Sequence, residues 1–247
     1  MVYPGAHHTR FHHALGAMHL MQKAVQVLIF KGVEMSKLAI VTGGSSGIGL
    51  AALDKFLRNE YQVINLSRKP SRLTDCLNIP VDLSDDDFIE KVSGRLTPLV
   101  EAAETIVLVH NAGAHSRDSA VAVDVDSLRQ ALAVNVIAPA LLNKLLLPSM
   151  KQGSSVIYIG STLSEKAVAG CCSYITSKHA VVGLMKSTCQ DAAGMGIHTA
   201  CICPGFTETE MLKIHVGGSE NLAEIAGMST FGPVSYTHLT LPTIYSV

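Results

Sequence analysis

Charge is scarce in this sequence and almost balanced. Lysine and arginine number 19 against 20 acidic residues, the formal net charge is −1, and only 16% of the residues are charged. A chain this close to neutral offers no broad basic surface for nucleic acid and implies no strongly charged partner. Because 48% of the residues are hydrophobic, the composition excludes a disordered chain and favours a buried α/β sheet.

Three further signals are missing from the chain. The six cysteines lack the paired spacing of a zinc site, which favours a reduced, cytoplasmic protein. No apolar run is expected to reach the length of a membrane span. The first residues carry histidines in place of the basic segment of a secretory signal, and no small-residue cleavage site follows a clean apolar run.

What the chain does contain begins with a strand, a glycine-rich turn and a helix. The apolar run Lys37–Thr42 predicts a buried strand, residues 43–49 carry four glycines, and Leu50–Asn59 predicts a helix. Backbone N–H groups at such a helix start can hold a diphosphate, and glycine lets the backbone approach the phosphates closely. The glycine spacing is Thr-Gly-x-x-x-Gly-x-Gly. Taken alone, such a turn would suit an ordinary loop or linker equally well.

Ser161, Tyr174 and Lys178 form a candidate group for proton transfer. A tyrosine keeps its proton to about pH 10, and a lysine ammonium one helical turn away should lower that pKa. Ser161 follows the predicted strand Ser155–Ile159, and ligands gather at the carboxyl ends of strands in open α/β sheets. Tyr-x-x-x-Lys alone is a weak signal, because any helix can place two such residues together.

Further motifs fall between Met35 and Pro233 and strengthen this interpretation. Together with the group above, the motifs are Thr42-Gly43 to Gly49, Asp82-Leu83, Asn111-Ala112-Gly113, Asn135 and Pro204-Gly205. In this order and spacing, residues 35–233 resemble the short-chain dehydrogenase/reductase family. The resemblance implies an α/β fold, a Rossmann-type doubly wound parallel sheet in three layers that is truncated here before its seventh strand. It also implies an enzyme that transfers hydride between NAD(P)(H) and a carbonyl or secondary alcohol.

The resemblance assigns roles to the catalytic residues. Tyr174 is expected to act as general acid and base, and Ser161 to hold the substrate oxygen. Lys178 is expected to lower the pKa of the tyrosine and to bind the nicotinamide ribose. Asn135 is expected to bend its helix and to hold a water that links the lysine to solvent. His110 stands where the family usually has asparagine and is given no catalytic role.

The resemblance also implies a set of cofactor contacts and no metal site. The expected cofactor-binding residues are Gly43, Ser45, Ser46, Gly47, Ile48, Gly49, Ser67, Arg68, Asp82, Leu83, Asn111, Ala112, Gly113, Tyr174, Lys178, Pro204, Gly205, Thr207 and Thr209. Asp82 is expected to bond the adenine amino group; the alternative is a helix cap or turn residue before Ser84.

The tip of the second strand bears on the choice of cofactor. Ser67 stands where an acidic residue would bond the ribose hydroxyls, and Arg68 follows it. A guanidinium can grip a 2′-phosphate through two parallel hydrogen bonds, so NADP(H) is expected over NAD(H). The alternative is that Arg68 is a solvated loop charge. Ser45 and Ser46 add no second basic residue in the glycine turn.

Two other functions compete with an active dehydrogenase. One is a cofactor-binding regulator of the same fold that has lost its chemistry, which the complete set Asn135, Ser161, Tyr174 and Lys178 disfavours. The other is a phosphohydrolase acting through the N-terminal segment. That segment, residues 1–34, resembles a helical fragment of an HD-type metal-dependent phosphohydrolase in which His13 matches the first metal ligand. The histidine–aspartate pair that names that family is absent from this sequence.

The two ends of the chain are therefore expected to be foreign. Residues 1–34 are interpreted as a fragment rather than a domain, and residues 35–233 as the reductase domain. Val234–Val247 resembles a translated sequencing adapter, codon by codon and through to the stop, and is interpreted as a non-native tail. The chain is thus expected to be chimeric and truncated.

Expectations about assembly and substrate follow from this organisation. The substrate is expected to be a small carbonyl compound or alcohol, contacted by a loop at about Glu210–Gly232. The complete protein is expected to be a homodimer or homotetramer that binds neither nucleic acid nor membrane. A chain that ends before the seventh strand exposes a sheet edge, so this chain is expected to fold poorly or aggregate. A soluble, monodisperse product would contradict that expectation.

Overall fold

The structure is a computed structural model that describes residues 36–205. The expectations about the fragment 1–34 with His13, Thr207, Thr209, the loop Glu210–Gly232 and the tail Val234–Val247 all lie outside these residues.

The described residues form six strands and five α-helices, and a helix lies between most pairs of successive strands. The strands are β1 (Lys37–Thr42), β2 (Gln62–Ser67), β3 (Cys76–Pro80), β4 (Thr105–His110), β5 (Ser155–Ile159) and β6 (His198–Ile202). The helices are α1 (Gly47–Leu57), α2 (Phe88–Ala102), α3 (Val125–Leu132), α4 (Ala138–Leu146) and α5 (Cys172–Asp191). A π-helical turn, Ala133–Ile137, joins α3 to α4, and short 3-10 turns lie at Leu147–Ser149, Thr162–Ser164 and Ala193–Met195.

All six strands pair in parallel, in the order β3-β2-β1-β4-β5-β6. The chain therefore crosses from β3 on one side of β1 to β4 on the other, and this reversal opens a crevice at the carboxyl ends of β1 and β4. The sequence-based expectation of a doubly wound parallel sheet is confirmed. Strands β1 and β5 have the residue bounds expected from their apolar runs.

Alternation along β1 divides the core between the two faces of the sheet. Leu38 and Ile40 belong to the cluster under α2, α4 and α5, and Ala39 and Val41 belong to the cluster under α1. Across the sheet, Ile40 lies opposite Ile64 of β2 and Leu108 of β4. Strands that are buried on both faces have to be apolar throughout, which explains why these runs lack the usual polar alternation.

Two helix boundaries differ from expectation. Helix α1 begins at Gly47 rather than Leu50, because the last glycines of the turn already lie in its first helical turn. It ends at Leu57 rather than Asn59. The helix that carries Tyr174 and Lys178 runs from Cys172 to Asp191, with a 3-10 turn after it.

The helical stretch Val125–Ser149 corrects one expectation. Within residues 36–205 it is the single helix long and apolar enough to cross a membrane by length and composition, although no such apolar run was expected. It packs against α2 and α5 and buries the side chains of Asn135 and Asn143. A core helix of a doubly wound fold passes the same test of length and composition.

Candidate active site

The glycine turn between β1 and α1 brings three backbone segments close together. Gly43 has a φ of +68° and donates its N–H to Leu66 O at 2.8 Å. A Cβ on Gly49 would lie 2.5 Å from Gly43 O and 2.4 Å from the Asn111 amide nitrogen. These positions therefore require glycine, one for its left-handed backbone and the other for space.

The first turn of α1 has the features of an anion site. Ser46 is the N-cap in an extended conformation, its side chain makes no capping hydrogen bond, and the first turn holds no acidic residue. The backbone N–H groups there and the positive end of the helix dipole suit a diphosphate. Gly47 is exposed with a φ of +54°. The residues present thus fit the diphosphate of a dinucleotide cofactor. Ser45 lies just before this helix start, and Ile48 lies in its first turn.

Thr42 ties the end of β1 to the end of β4. Its Oγ1 accepts the N–H groups of Asn111 at 2.9 Å and Ala112 at 3.0 Å. In return the Asn111 side-chain amide donates to Thr42 O at 2.9 Å and Gly43 O at 3.0 Å. The structure therefore brings the turn that begins at Asn111 against the glycine turn.

Asn65, which was not singled out from the sequence, organises the same region from β2. It is 1% exposed, and its side-chain oxygen accepts the Gly44 N–H at 2.9 Å. Its amide nitrogen donates to Lys69 O at 3.2 Å and to the Asn78 side chain at 2.9 Å. One buried amide thus links the glycine turn to the tip of β2. A polar residue inside the apolar run Val-Ile-Asn-Leu is the signal that could have identified it.

The tip of β2 exposes two basic side chains, Arg68 and Lys69, to solvent. The Ser67 hydroxyl donates to Lys69 O at 2.5 Å, which curls the tip, and the Arg68 side chain is 73% exposed. Arg68 lies 3.9 Å from the Asp82 carboxylate. An exposed ion pair at that distance is worth at most about 1 kcal/mol, so it leaves the guanidinium available to a ligand.

Asp82 forms the turn that was the alternative to an adenine contact. Its carboxylate accepts the Ser84 hydroxyl at 2.6 Å and the Ser84 N–H at 3.0 Å. These two hydrogen bonds, with a smaller contribution from Arg68, hold the pKa of Asp82 below its ordinary value. Leu83 is 7% exposed and packs into the core, so only its backbone remains for a ligand.

Asn135 lies inside the π-helical turn and is 2% exposed. Its side chain holds Ala114 at both ends, accepting the N–H at 2.7 Å and donating to the carbonyl at 3.0 Å. The same amide nitrogen donates to Ser177 Oγ at 2.8 Å, and Ser177 Oγ donates to Tyr174 O at 2.7 Å. Both amide hydrogens are therefore used within the protein, so a water at Asn135 would have to donate to its side-chain or backbone oxygen.

Ser161 and Tyr174 meet at the carboxyl edge of the sheet. Ser161 follows β5 and caps the 3-10 turn, accepting the Leu163 N–H at 3.1 Å. Burial raises the pKa of the Tyr174 phenol, and the hydrogen bond with the Ser161 hydroxyl opposes that rise. The net direction is upward, so the expectation of a lowered tyrosine pKa is wrong for this arrangement.

Lys178 lies beside the ring of Tyr174 and is itself buried. Its ammonium is 5.7 Å from the centre of the Tyr174 ring and donates to Ile159 O at 2.8 Å. The side chain is 5% exposed, and burial lowers its own pKa to about 8. The lysine therefore lies beside the tyrosine, as the spacing predicted, but its charge is directed at a backbone carbonyl.

The remaining described site residues lie where β6 ends. Thr162 donates its N–H to Pro204 O at 3.0 Å, and Gly205 lies against the Thr162 side chain. The turn after β6 is thereby attached to the turn that carries Ser161.

His110 is a buried structural residue. It is 4% exposed, its Nε2 lies 2.8 Å from the Asn143 side-chain oxygen, and burial lowers its pKa to about 4. Asn143 in turn contacts the Tyr158 hydroxyl, which lies 2.8 Å from Thr188 Oγ1. The residue therefore joins β4, α4, β5 and α5 as part of the core.

An open cavity of about 550 Å³ lies beside this edge of the sheet. It is lined by residues of the loop after β4, among them Arg117–Ser119, and by Val168–Cys171 before α5. A small molecule in the cavity would contact the residues that directly precede the helix of Tyr174 and Lys178. The arrangement can bind a dinucleotide across the crevice and exchange a proton with a neighbouring oxygen atom.

Comparison with known proteins gives a consistent result. The family model described as short chain dehydrogenase matches residues 37–216. The 2-(R)-hydroxypropyl-CoM dehydrogenase of Xanthobacter autotrophicus is 35% identical over 197 residues, which are 72% of this chain and 78% of that protein. A 4-hydroxyisoleucine dehydrogenase complexed with NADH superposes with a TM-score of 0.65 at 25% identity, covering 73% of this chain and 80% of the other. A structure named as an NAD(P)-dependent gluconate 5-dehydrogenase from Beutenbergia cavernae, with NADP bound at low occupancy, gives 0.67 at 27% identity, covering 78% and 81%.

Proposed function

The chain belongs to the short-chain dehydrogenase family, and on that premise we propose that it is an oxidoreductase that interconverts a carbonyl and a secondary alcohol with NADP(H), using Tyr174 as general acid and base. Relatives named as dehydrogenases and reductases support the oxidoreductase class. The single observation that carries the catalytic assignment is the position of the Tyr174 phenol, near enough to the Ser161 hydroxyl for that group to lower its pKa, with the Lys178 ammonium of the same helix 5.7 Å from its ring.

A continuous set of contacts joins the cofactor cradle to this tyrosine. Asn111 bonds the glycine turn, and its turn leads to Ala114, which Asn135 holds at both ends. Asn135 also bonds Ser177, which bonds the backbone of Tyr174. A cofactor at the start of α1 and a proton donor on α5 therefore belong to one hydrogen-bonded framework, and such fixed positioning is what catalysis requires.

The bound nicotinamide would supply the hydride chemistry, and the protein residues handle the oxygen atom and its proton. The raised pKa of Tyr174 keeps its phenol protonated near neutral pH, the form that donates a proton to a developing alkoxide. The Ser161 hydroxyl, held by the Leu163 N–H, is placed to bond the same oxygen atom. The Lys178 ammonium has donors left beyond Ile159 O and is proposed to hold the nicotinamide ribose.

Replacement of the phenol tests the assignment. Tyr174→Phe should abolish most turnover, measured as loss of NADPH absorbance with a panel of ketones, and leave NADPH binding nearly intact. Tyr61→Phe is the matched control, because Tyr61 is buried against Phe56 under α1 and should keep its activity. Equal losses of binding and turnover in Tyr174→Phe would contradict the role of the phenol.

The preference for NADP(H) is proposed from the exposed cations at the tip of β2. A charge-assisted bond from Arg68 to a 2′-phosphate is worth roughly 1.5 to 3 kcal/mol, so Arg68→Gln should weaken NADPH relative to NADH by about tenfold to a hundredfold. Arg95→Gln, on the exposed side of α2, is the control. An unchanged ratio of the two dissociation constants in Arg68→Gln would leave Arg68 as a solvated charge.

A further inference from the structure

The loop that follows β4 is fixed at two points close to the proposed catalytic tyrosine. At the first, the side chain of Asn135 bonds both the N–H and the carbonyl of Ala114. These two bonds fix the orientation of one whole residue, because they occupy its backbone donor and its backbone acceptor together. The loop therefore leaves the sheet in a defined direction.

The second point is Asp118, which caps the helix that carries Tyr174. Its carboxylate accepts the Ser173 N–H at 2.9 Å and the Ser173 hydroxyl, and its carbonyl accepts the Cys172 N–H at 3.2 Å. Asp118 is 8% exposed, and the hydrogen bonds from Ser173 lower its pKa. An ionised side chain on another segment thus binds the first turn of α5, where the N–H groups have no partner within the helix.

His115 lies between these two points, and its ring packs on the ring of Tyr174. The ring centres are 4.5 Å apart with an angle of 45° between the planes. His115 is half-buried, and Lys178 approaches the same tyrosine ring at 5.7 Å. Because both ends of the segment are bonded to other elements, the backbone of His115 stays beside the helix of Tyr174, and the imidazole ring can leave the tyrosine only by rotating about its own side-chain bonds.

We propose that His115 is a positioning residue of the catalytic centre, held by the Ala114 and Asp118 attachments so that its ring sets the orientation of the Tyr174 ring. The proposal rests on the proposed function of Tyr174. A phenol that swings about its Cα–Cβ bond moves its hydroxyl away from Ser161, and misplacement by about 1 Å can cost a hundredfold in rate. A flat ring packed on the phenol limits that rotation.

Substitutions at His115 separate a ring-packing role from other roles. His115→Ala should lower kcat on the order of tenfold to a hundredfold with NADPH binding unchanged, because the phenol loses its neighbour. His115→Phe keeps a flat ring and should restore most of kcat. His179→Ala, an exposed histidine on α5, is the control and should leave kcat unchanged.

Two further measurements extend the test, and the second depends neither on the folding of a variant nor on the reaction. In a Tyr174→Phe background, His115→Ala should lower the residual kcat very little further, because the effects of residues that act through one another are not additive. In the native protein, NMR should show nuclear Overhauser contacts between the ring protons of His115 and Tyr174.

The outcomes distinguish failure of this proposal from failure of the proposed function. An unchanged kcat in His115→Ala, or a His115→Phe variant as slow as His115→Ala, overturns the positioning role. The absence of the ring-to-ring contact overturns the placement on which it depends. A native chain that reduces no carbonyl compound but shows that contact would overturn the proposed function and leave the packing in place.

Discussion

Acid should destabilise this protein through His110 at pH values where its carboxylates remain ionised. The imidazole is 4% exposed and bonded to Asn143, and burial lowers its pKa to about 4 from 6.5. The fold therefore favours the neutral ring. As the pH falls below about 6.5, the unfolded chain binds a proton that the folded chain excludes, so the stability falls until the pH passes about 4.

The size of the effect follows from the two pKa values. The full difference corresponds to about 3 kcal/mol, and roughly 2 kcal/mol of it should be lost between about pH 7 and about pH 5. Asp82 and Asp118 do not contribute in this window, because hydrogen bonds lower their pKa values and their stabilisation is lost only at more acidic pH. His110 is thus expected to dominate the loss.

Urea unfolding followed by far-ultraviolet circular dichroism at the two pH values measures this loss. The comparison is with His110→Asn, which cannot titrate and should lose much less stability over the same interval. Should this variant fold poorly, the NMR titration of His110 in the native chain gives its pKa directly. The reasoning is wrong if the native chain and His110→Asn lose equal stability, or if His110 titrates near 6.5.

Two other predictions use the glycine turn and the buried lysine. Gly49→Ala should destabilise the fold by roughly 1 to 3 kcal/mol and weaken cofactor binding, because its Cβ would meet backbone and side-chain atoms within 2.5 Å; Gly94→Ala in α2, where nothing lies within 4 Å of the added atom, should be neutral or slightly stabilising. Raising the pH from about 7 toward 10 should stabilise the native chain relative to Lys178→Met, because the fold lowers the pKa of Lys178 to about 8 and favours its neutral form. Urea unfolding of each variant checks both, and a pH dependence identical to that of Lys178→Met would contradict the second.

The fold was predictable because its local and long-range signals agree. The apolar run Lys37–Thr42 could be a strand or a helix by its periodicity alone, but the glycine turn directly after it and the following helix permit only the strand. No single segment of the sequence predicts that the strand order reverses after β3. That expectation came with the family resemblance, whose motifs fix the order of the strands.

The parts that the sequence did not reveal depend on partners from distant segments. Asn65 is one polar residue in an apolar strand, and its meaning depends on Gly44 and Asn78, which the fold brings to it. In the sequence, Asp118 looks like any acidic residue of a loop. Its role depends on the N–H groups at the start of α5, which have no partner within the helix and which the fold brings to it. Nothing near His115 in the sequence indicates that its ring will meet the ring of Tyr174.

The direction of the tyrosine pKa shows the same limit in energetic terms. Helical spacing placed Lys178 beside Tyr174, and from that spacing alone we expected the lysine charge to set the pKa of the tyrosine. In the folded protein, burial of the phenol has the larger effect, and the lysine directs its ammonium to Ile159 O. Burial thus raises the pKa of the acid and lowers that of the base, so it disfavours the charged form of both groups. One N–H of the ammonium is bonded to Ile159 O and two remain, so a ligand that accepts from those two would favour the charged form of Lys178 and strengthen the positive charge beside Tyr174.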